Sequence, residues 1–352
     1  MRVNQEVIAT MDQNHQIYIG RLLEYVENSE IKVETLVVYG SAINHTRHNS
    51  SDVDCYIYTN DPKGYILNRT MIIQGVGYDV FCMNSSRLEG IAKLKEDLLP
   101  LLLDGVCLYV SDIESYRKWE GLVHQAKTNL LDLTYITSAC KRHEHELMDL
   151  KKRLNSGIND SDTLILLDSY LYHQACIFAY KQSGYLHHGK KSMEHWLTRM
   201  HPQIPNWVIE CVYDRTLTVE KLILRVEQVG VDTTKKAETS IEQPLPQLIE
   251  KSEIKDYFQE LVSYFRKIEY AYNTKSLLLL YFYTSSLQKE LNLLMPSMGI
   301  RSVDLVSDLR SDRLNQWIKQ VQEVEMIMAH QLVTLGIELD QYNDFHEIKF
   351  AY

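Results

Sequence analysis

Between residues 40 and 79 the chain sets three aspartates and a Gly-Ser pair in a suggestive order: Gly40 and Ser41 close the apolar run "TLVVY", Asp52 and Asp54 flank Val53, and Asp79 stands near the head of "YDVFCM". On an extended strand alternate side chains share a face, so Asp52 and Asp54 project together while Val53 and Cys55 turn inward. Carboxylates that close repel, and a cation between them relieves the repulsion. Hard oxygen ligands at this spacing suit Mg²⁺ held jointly with a substrate's phosphates. Gly40 and Ser41, where a strand gives way to a helical turn, offer free backbone N–H groups to phosphate oxygens, and glycine allows close approach. If the strand carrying Asp79 lies beside the first pair, all three carboxylates converge. That set meets the needs of two-metal phosphoryl or nucleotidyl transfer, in which one ion lowers the pKa of the attacking hydroxyl and the other neutralises the triphosphate. A D-x-D alone is more often a solvated strand end. The Gly-Ser at the right distance and the third carboxylate turn the balance.

These residues need a sheet to hold them, and the first 110 residues supply strand patterns at 35–40, 52–59, 69–74, 78–83 and 105–110, rich in Val, Ile and Tyr and bounded by Gly, Asn, Asp and Pro. An amphipathic helix is expected over 5–28, and another over "SSRLEGIAKLKEDLLPLLLDG", stopped near Pro100. Nearly everything after residue 112 has helical periodicity. The expected fold is therefore α+β: a small mixed-sheet domain over 1–111, a helical domain over 112–229 that opens with an antiparallel helical pair, and an additional helical region over 251–352. Residues 230–250 lose periodicity, carry two of the seven prolines and read as a linker or loop.

A net charge of −10 on 352 residues argues against a non-specific binder of phosphate backbones and suits a cationic or metal-chelated partner. The six cysteines stand far apart with no C-x-x-C pair, which points to buried reduced thiols. The N-terminus lacks the apolar core of a signal peptide, and "SLLLLYFY" is too short to span a bilayer, so a cytoplasmic location without membrane attachment is expected.

"YGSAINHTRHNSSDVD" resembles the G-S, then h-D-x-D, signature of the DNA-polymerase-beta-like nucleotidyltransferase superfamily, and "GYDVFCM" is similar to its third-carboxylate strand. Within it the chain most resembles the kanamycin nucleotidyltransferase-like and minimal nucleotidyltransferase branch, specifically over about 33–110 and loosely over 112–225. The resemblance implies that Gly40 and Ser41 bind a nucleoside triphosphate, with ATP expected. It implies that Asp52 and Asp54 ligate two Mg²⁺ ions and that Asp79 ligates the catalytic one or assists deprotonation. In antibiotic-modifying relatives a glutamate on the first long helix of the second domain is the general base, which nominates Glu144 and Glu146 in "KRHEHELMDL". The implied reaction is transfer of a nucleoside monophosphate, AMP above others, to a hydroxyl of a small molecule such as an aminoglycoside-type antibiotic. A protein, RNA or nucleotide acceptor is the alternative, as is a non-catalytic nucleotide-binding scaffold; the acidic balance weighs against nucleic acid. In relatives two subunits can share an active site, so a homodimer stays open, with the C-terminal helices as another source of that wall.

Other patterns carry less. "GYLHHGKKS" nearly spells a P-loop, but Lys191 stands where Ser or Thr should follow and the stretch comes after a helix rather than a strand, leaving Lys190 or Lys191 as a cation able to reach a phosphate. "HEHE" at 143–146 is not a zinc-protease motif, since residue 147 is Leu. His45 and His48 fall between Ser41 and Asp52 and could touch nucleotide, and tyrosines on the helices could stack on base or sugar.

Overall fold

The structure is a computed structural model and describes residues 2–40, 53–154, 156, 159–187, 189–229, 249–348 and 350. Ser41, His45, His48, Asp52 and the linker stretch 230–248 lie outside the described residues. The first unit contains β1 (Arg2–Val3), α1 (Gln5–Thr10), α2 (Gln13–Asn28), β2 (Thr35–Tyr39), β3 (Asp54–Tyr58), β4 (Arg69–Ile73), β5 (Val76–Met83), α3 (Ser85–Ala92), α4 (Leu99–Leu103), β6 (Val106–Val110) and α5 (Ile113–Asn129). After it come α6 (Leu133–Leu154), α7 (Asp160–Lys181), α8 (Lys190–Met200), α9 (Ile204–Val212), α10 (Val219–Val229), α11 (Lys251–Asn273), α12 (Leu277–Ser297), α13 (Leu314–Thr334) and the two-residue strand β7 (Gln341–Tyr342). This is an α+β chain, a mixed sheet followed by a largely helical region.

The sheet order is β1-β6-β2-β3-β5-β4-β7, antiparallel except for β3 with β5 and β4 with β7. Every residue of β2 is buried, which explains why "TLVVY" reads as an unbroken apolar run instead of alternating. On one face α2 lays down Tyr18, Ile19, Leu22, Leu23 and Val26 against Leu36, Val38, Val53, Cys55, Ile57 and Val80, the i, i+4 stripe of an amphipathic helix. Asp12 caps that helix by accepting from the His15 N–H at 2.9 Å, and so separates it from α1. On the other face Trp119 of α5 lies on Tyr58, with ring centroids 5.5 Å apart. β4 and β5 are joined through Gln74 and Gly75, both at positive φ (51° and 78°), the backbone a tight two-residue hairpin demands.

Four features differ from the pattern reading, the first being that the single helix expected over 5–28 is two, α1 and α2, broken at Met11–Asp12. Pro100 does not stop a helix. It sits in the first turn of α4, where its missing N–H costs nothing. Helix α5 belongs with the sheet, so the compact unit runs to Tyr135 even though the strand-rich composition ends near residue 111. Residues 339–348 also return to that unit: β7 pairs with β4, and Phe345 packs edge-on against Tyr78 at 5.7 Å.

The second unit spans Ile136–Glu338. Helices α6 and α7 meet at His143 and His173, whose Nδ1 atoms are 2.8 Å apart. α12 is buried over most of its length between α7 and α11, and the Tyr281 hydroxyl donates to the Leu164 carbonyl at 2.6 Å. Among the described residues no helix is long and apolar enough to cross a membrane. All six cysteines are free thiols, four buried and two half-buried. Burial pushes those of Cys82, Cys107 and Cys211 up to about 11, which keeps them protonated and unreactive at neutral pH.

Candidate active site

Strand alternation divides β3 between two environments. Val53, Cys55 and Ile57 are fully buried against α2, while Asp54, Tyr56 and Tyr58 point to the opposite face. β5 divides in the same way: Tyr78 and Val80 join the α2 core, which turns Asp79 and Phe81 to the other side. The two strands are parallel, with Cys55 opposite Val80 and Tyr56 opposite Phe81. One step back along that register brings Asp54 beside Asp79, on one face of neighbouring strands that run about 4.8 Å apart.

The surroundings of this pair are specific. Asp79 is 7% exposed and Asp54 half-buried. Beyond them on the same face lie Tyr39, Tyr56 and Phe81, with ring centroids 4.9 Å and 5.9 Å apart in turn and the two tyrosine hydroxyls 3.0 Å from each other. The Tyr56 hydroxyl is pushed up chiefly by burial; the hydrogen bond with Tyr39 opposes this, and the charges of Asp54 and Asp79 add to it. Tyr18, on the α2 side, is also raised, first by burial and then by Cys55, Asp79, Tyr78 and Asp54. Both phenols therefore stay neutral, and the pair borders an aromatic, low-dielectric wall.

Gly40 follows β2, next to Tyr39, whose strand partner is Asp54. Its φ is +91°, and a Cβ built on it would stand 2.6 Å from Asp54 Oδ2. Both conformation and space thus call for glycine here. Gly40, Asp54 and Asp79 are brought together; Ser41 and Asp52 lie outside the described residues.

The other candidates sit in the helical unit. Glu144 and Glu146 are on α6, the first half-buried and the second exposed. Lys190 opens α8 and donates to both oxygens of Asp168, at 2.9 and 3.1 Å, with its ammonium 5.8 Å from the Phe282 ring centroid. It is thus an ion-pair partner of a carboxylate that is itself 7% exposed. Pattern reading passed over Asp168, although a lone carboxylate in "LILLDSYLY" is a signal in itself, since a buried charge needs a partner. His143 and Cys176 bring metal-ligating atoms within 4.8 Å of each other.

No protein-family model and no curated protein sequence matches the chain. Among solved structures, a nucleotidyltransferase-like protein from Exiguobacterium sibiricum 255-15 is similar at 12% identity, with 91% of each chain covered and a TM-score of 0.34. A likeness of that size leaves the chemistry to be argued from the residues themselves.

Proposed function

We propose that the chain is a Mg²⁺-dependent nucleotidyltransferase that moves a nucleoside monophosphate, AMP in the first instance, from a nucleoside triphosphate to a hydroxyl of a small molecule. One observation supports this above the others: Asp54 and Asp79 share a face on adjacent parallel strands, with Gly40 closed against Asp54. Two carboxylates so placed draw a cation to the space between them. Their oxygens fit a hard divalent ion, and Asp52 is the proposed third ligand. Bound there, Mg²⁺ supplies charge neutralisation for the triphosphate and acidifies the acceptor hydroxyl.

The chain's own residues have distinct parts in this reading. Asp54 and Asp79 provide the negative charge that fixes the cation and thereby the phosphates. Gly40 makes room for the Asp54 carboxylate at the strand end, so that the cation and the phosphates it carries can come close to the backbone there. Tyr56 stays neutral, and with Tyr39 it presents buried aromatic surface beside the carboxylates, keeping water away from them. The net charge of −10 favours a cationic acceptor such as an aminoglycoside-type compound.

Nucleotide binding tests the reading. Titration of ATP into the protein should give saturable binding in Mg²⁺ and at least tenfold weaker binding in EDTA. Binding that ignores the metal would instead support a nucleotide-binding scaffold. Gly40→Val should raise the nucleotide dissociation constant at least tenfold, because the new side chain meets the Asp54 carboxylate and strains a left-handed residue, at a cost to the fold of about 1–3 kcal/mol. Calorimetry alongside urea unfolding separates the two effects, and unchanged affinity in a folded variant would remove Gly40 from the site.

A further inference from the structure

A polar cavity of about 180 Å³ lies wholly within the helical unit, between α7, α8, α11 and α12. Asp168 and Ser169 on α7, Lys190 on α8, and Ser285, Lys289 and Glu290 on α12 are among its lining residues. The α12 residues recur at i, i+4 and i+5, so a polar stripe runs along a helix buried mostly on apolar residues. Ser285 is 1% exposed, and its hydroxyl has no hydrogen-bond partner. Its neighbours in the same helix are satisfied: Thr284 donates to the Leu280 carbonyl, and Gln288 bonds Asn292, the Val303 carbonyl and the Leu305 N–H. A buried hydroxyl left open at the wall of a cavity marks a place where a ligand or water completes the bonding.

The charges narrow the class of ligand. Asp168 and Lys190 satisfy each other, whereas Lys289 and Glu290 form no ion pair among the described residues. The Glu290 carboxyl is raised first by burial, with Lys289 opposing, so a cation brought to it would be welcome. A simple anion entering the cavity would meet Asp168 and Glu290. A simple cation would meet Lys190 and Lys289. A small molecule carrying both charges meets neither penalty.

We infer that this cavity is a binding site for a small zwitterion of the amino-acid class, its ammonium on Glu290, its carboxylate on Lys289 and a polar group on the Ser285 hydroxyl. The site lies within the helical unit and does not depend on the transfer reaction proposed above.

The test uses the full chain without nucleotide. Thermal-shift measurements across the twenty amino acids, followed by calorimetry on any that respond, should find at least one that saturates a single site. The matched amine lacking the carboxylate, and the matched acid lacking the amine, should each bind about tenfold or more weakly, the loss expected for one charged hydrogen bond. Lys289→Met, at an exposed residue, and Glu290→Gln, at a half-buried one, should each weaken binding by a similar factor without lowering the melting temperature of the free protein. The inference is overturned if no amino acid saturates, if a singly charged analogue binds as tightly as its zwitterion, or if the Lys289→Met, Glu290→Gln double variant binds as wild type.

Discussion

Asp54→Asn and Asp79→Asn are each expected to lower nucleotidyl transfer on the order of 10³-fold or more while leaving the fold in place. Asparagine keeps the volume of aspartate but removes the charge and turns one acceptor oxygen into an N–H donor, so the loss falls on cation and phosphate binding in the transition state. Thermal stability gives a second readout: Mg²⁺ should raise the melting temperature of wild type, as a ligand of the folded state does, and should raise that of either variant less. A fall in stability with loss of activity would mark the pair as structural, and near-wild-type turnover in either variant would rule out the proposed role.

The second large effect concerns deprotonation of the acceptor hydroxyl, which the family resemblance gives to Glu144 or Glu146. Glu144 is half-buried on α6 and Glu146 is exposed, and a carboxylate shielded from bulk water is the better placed to hold a substrate proton. On this proposal Glu144→Gln lowers kcat by about 10²- to 10⁴-fold, the range for loss of a general base, with nucleotide affinity unchanged. Glu146→Gln should stay within a few-fold of wild type. The pH dependence gives an independent reading: with the base gone, the acidic limb of kcat/KM that reports its ionisation in the free enzyme should disappear. Normal rates and an unaltered profile in the double variant would assign deprotonation to the metal-bound carboxylates alone.

Much of the sheet unit was legible because its strands are made of the residues strands favour. The runs that became β2 to β6 are rich in Val, Ile and Tyr, and alternation alone placed Val53 and Cys55 inside. What alternation could not supply was the pairing order. The parallel register of β3 with β5, which brings Asp79 to Asp54, is a long-range choice, and "YDVFCM" would read identically at an edge. The return of residues 339–348 to the sheet was hidden for the same reason: a two-residue strand has no periodicity. Pro100 was misread because proline both ends helices and starts them, and only the surrounding turn distinguishes the two. In the helical unit the apolar run of α12 announced burial, while its Ser285, Lys289 and Glu290 stripe acquired meaning only when α7 supplied Asp168 opposite it.

The most direct measurement is product analysis. Purified protein, Mg²⁺ and each of ATP, GTP, CTP and UTP, labelled at the α-phosphate, should be incubated with a panel of aminoglycosides and lincosamides and analysed by mass spectrometry. The account predicts an acceptor heavier by one nucleoside monophosphate, with ATP the preferred donor, one pyrophosphate released per adduct, and none of this with Asp54→Asn. Nucleotide that binds in a Mg²⁺-dependent manner yet yields only free monophosphate would place the acceptor among proteins, RNA or nucleotides. Nucleotide that is neither bound in a metal-dependent way nor turned over would contradict the assignment of Asp54 and Asp79 to catalysis.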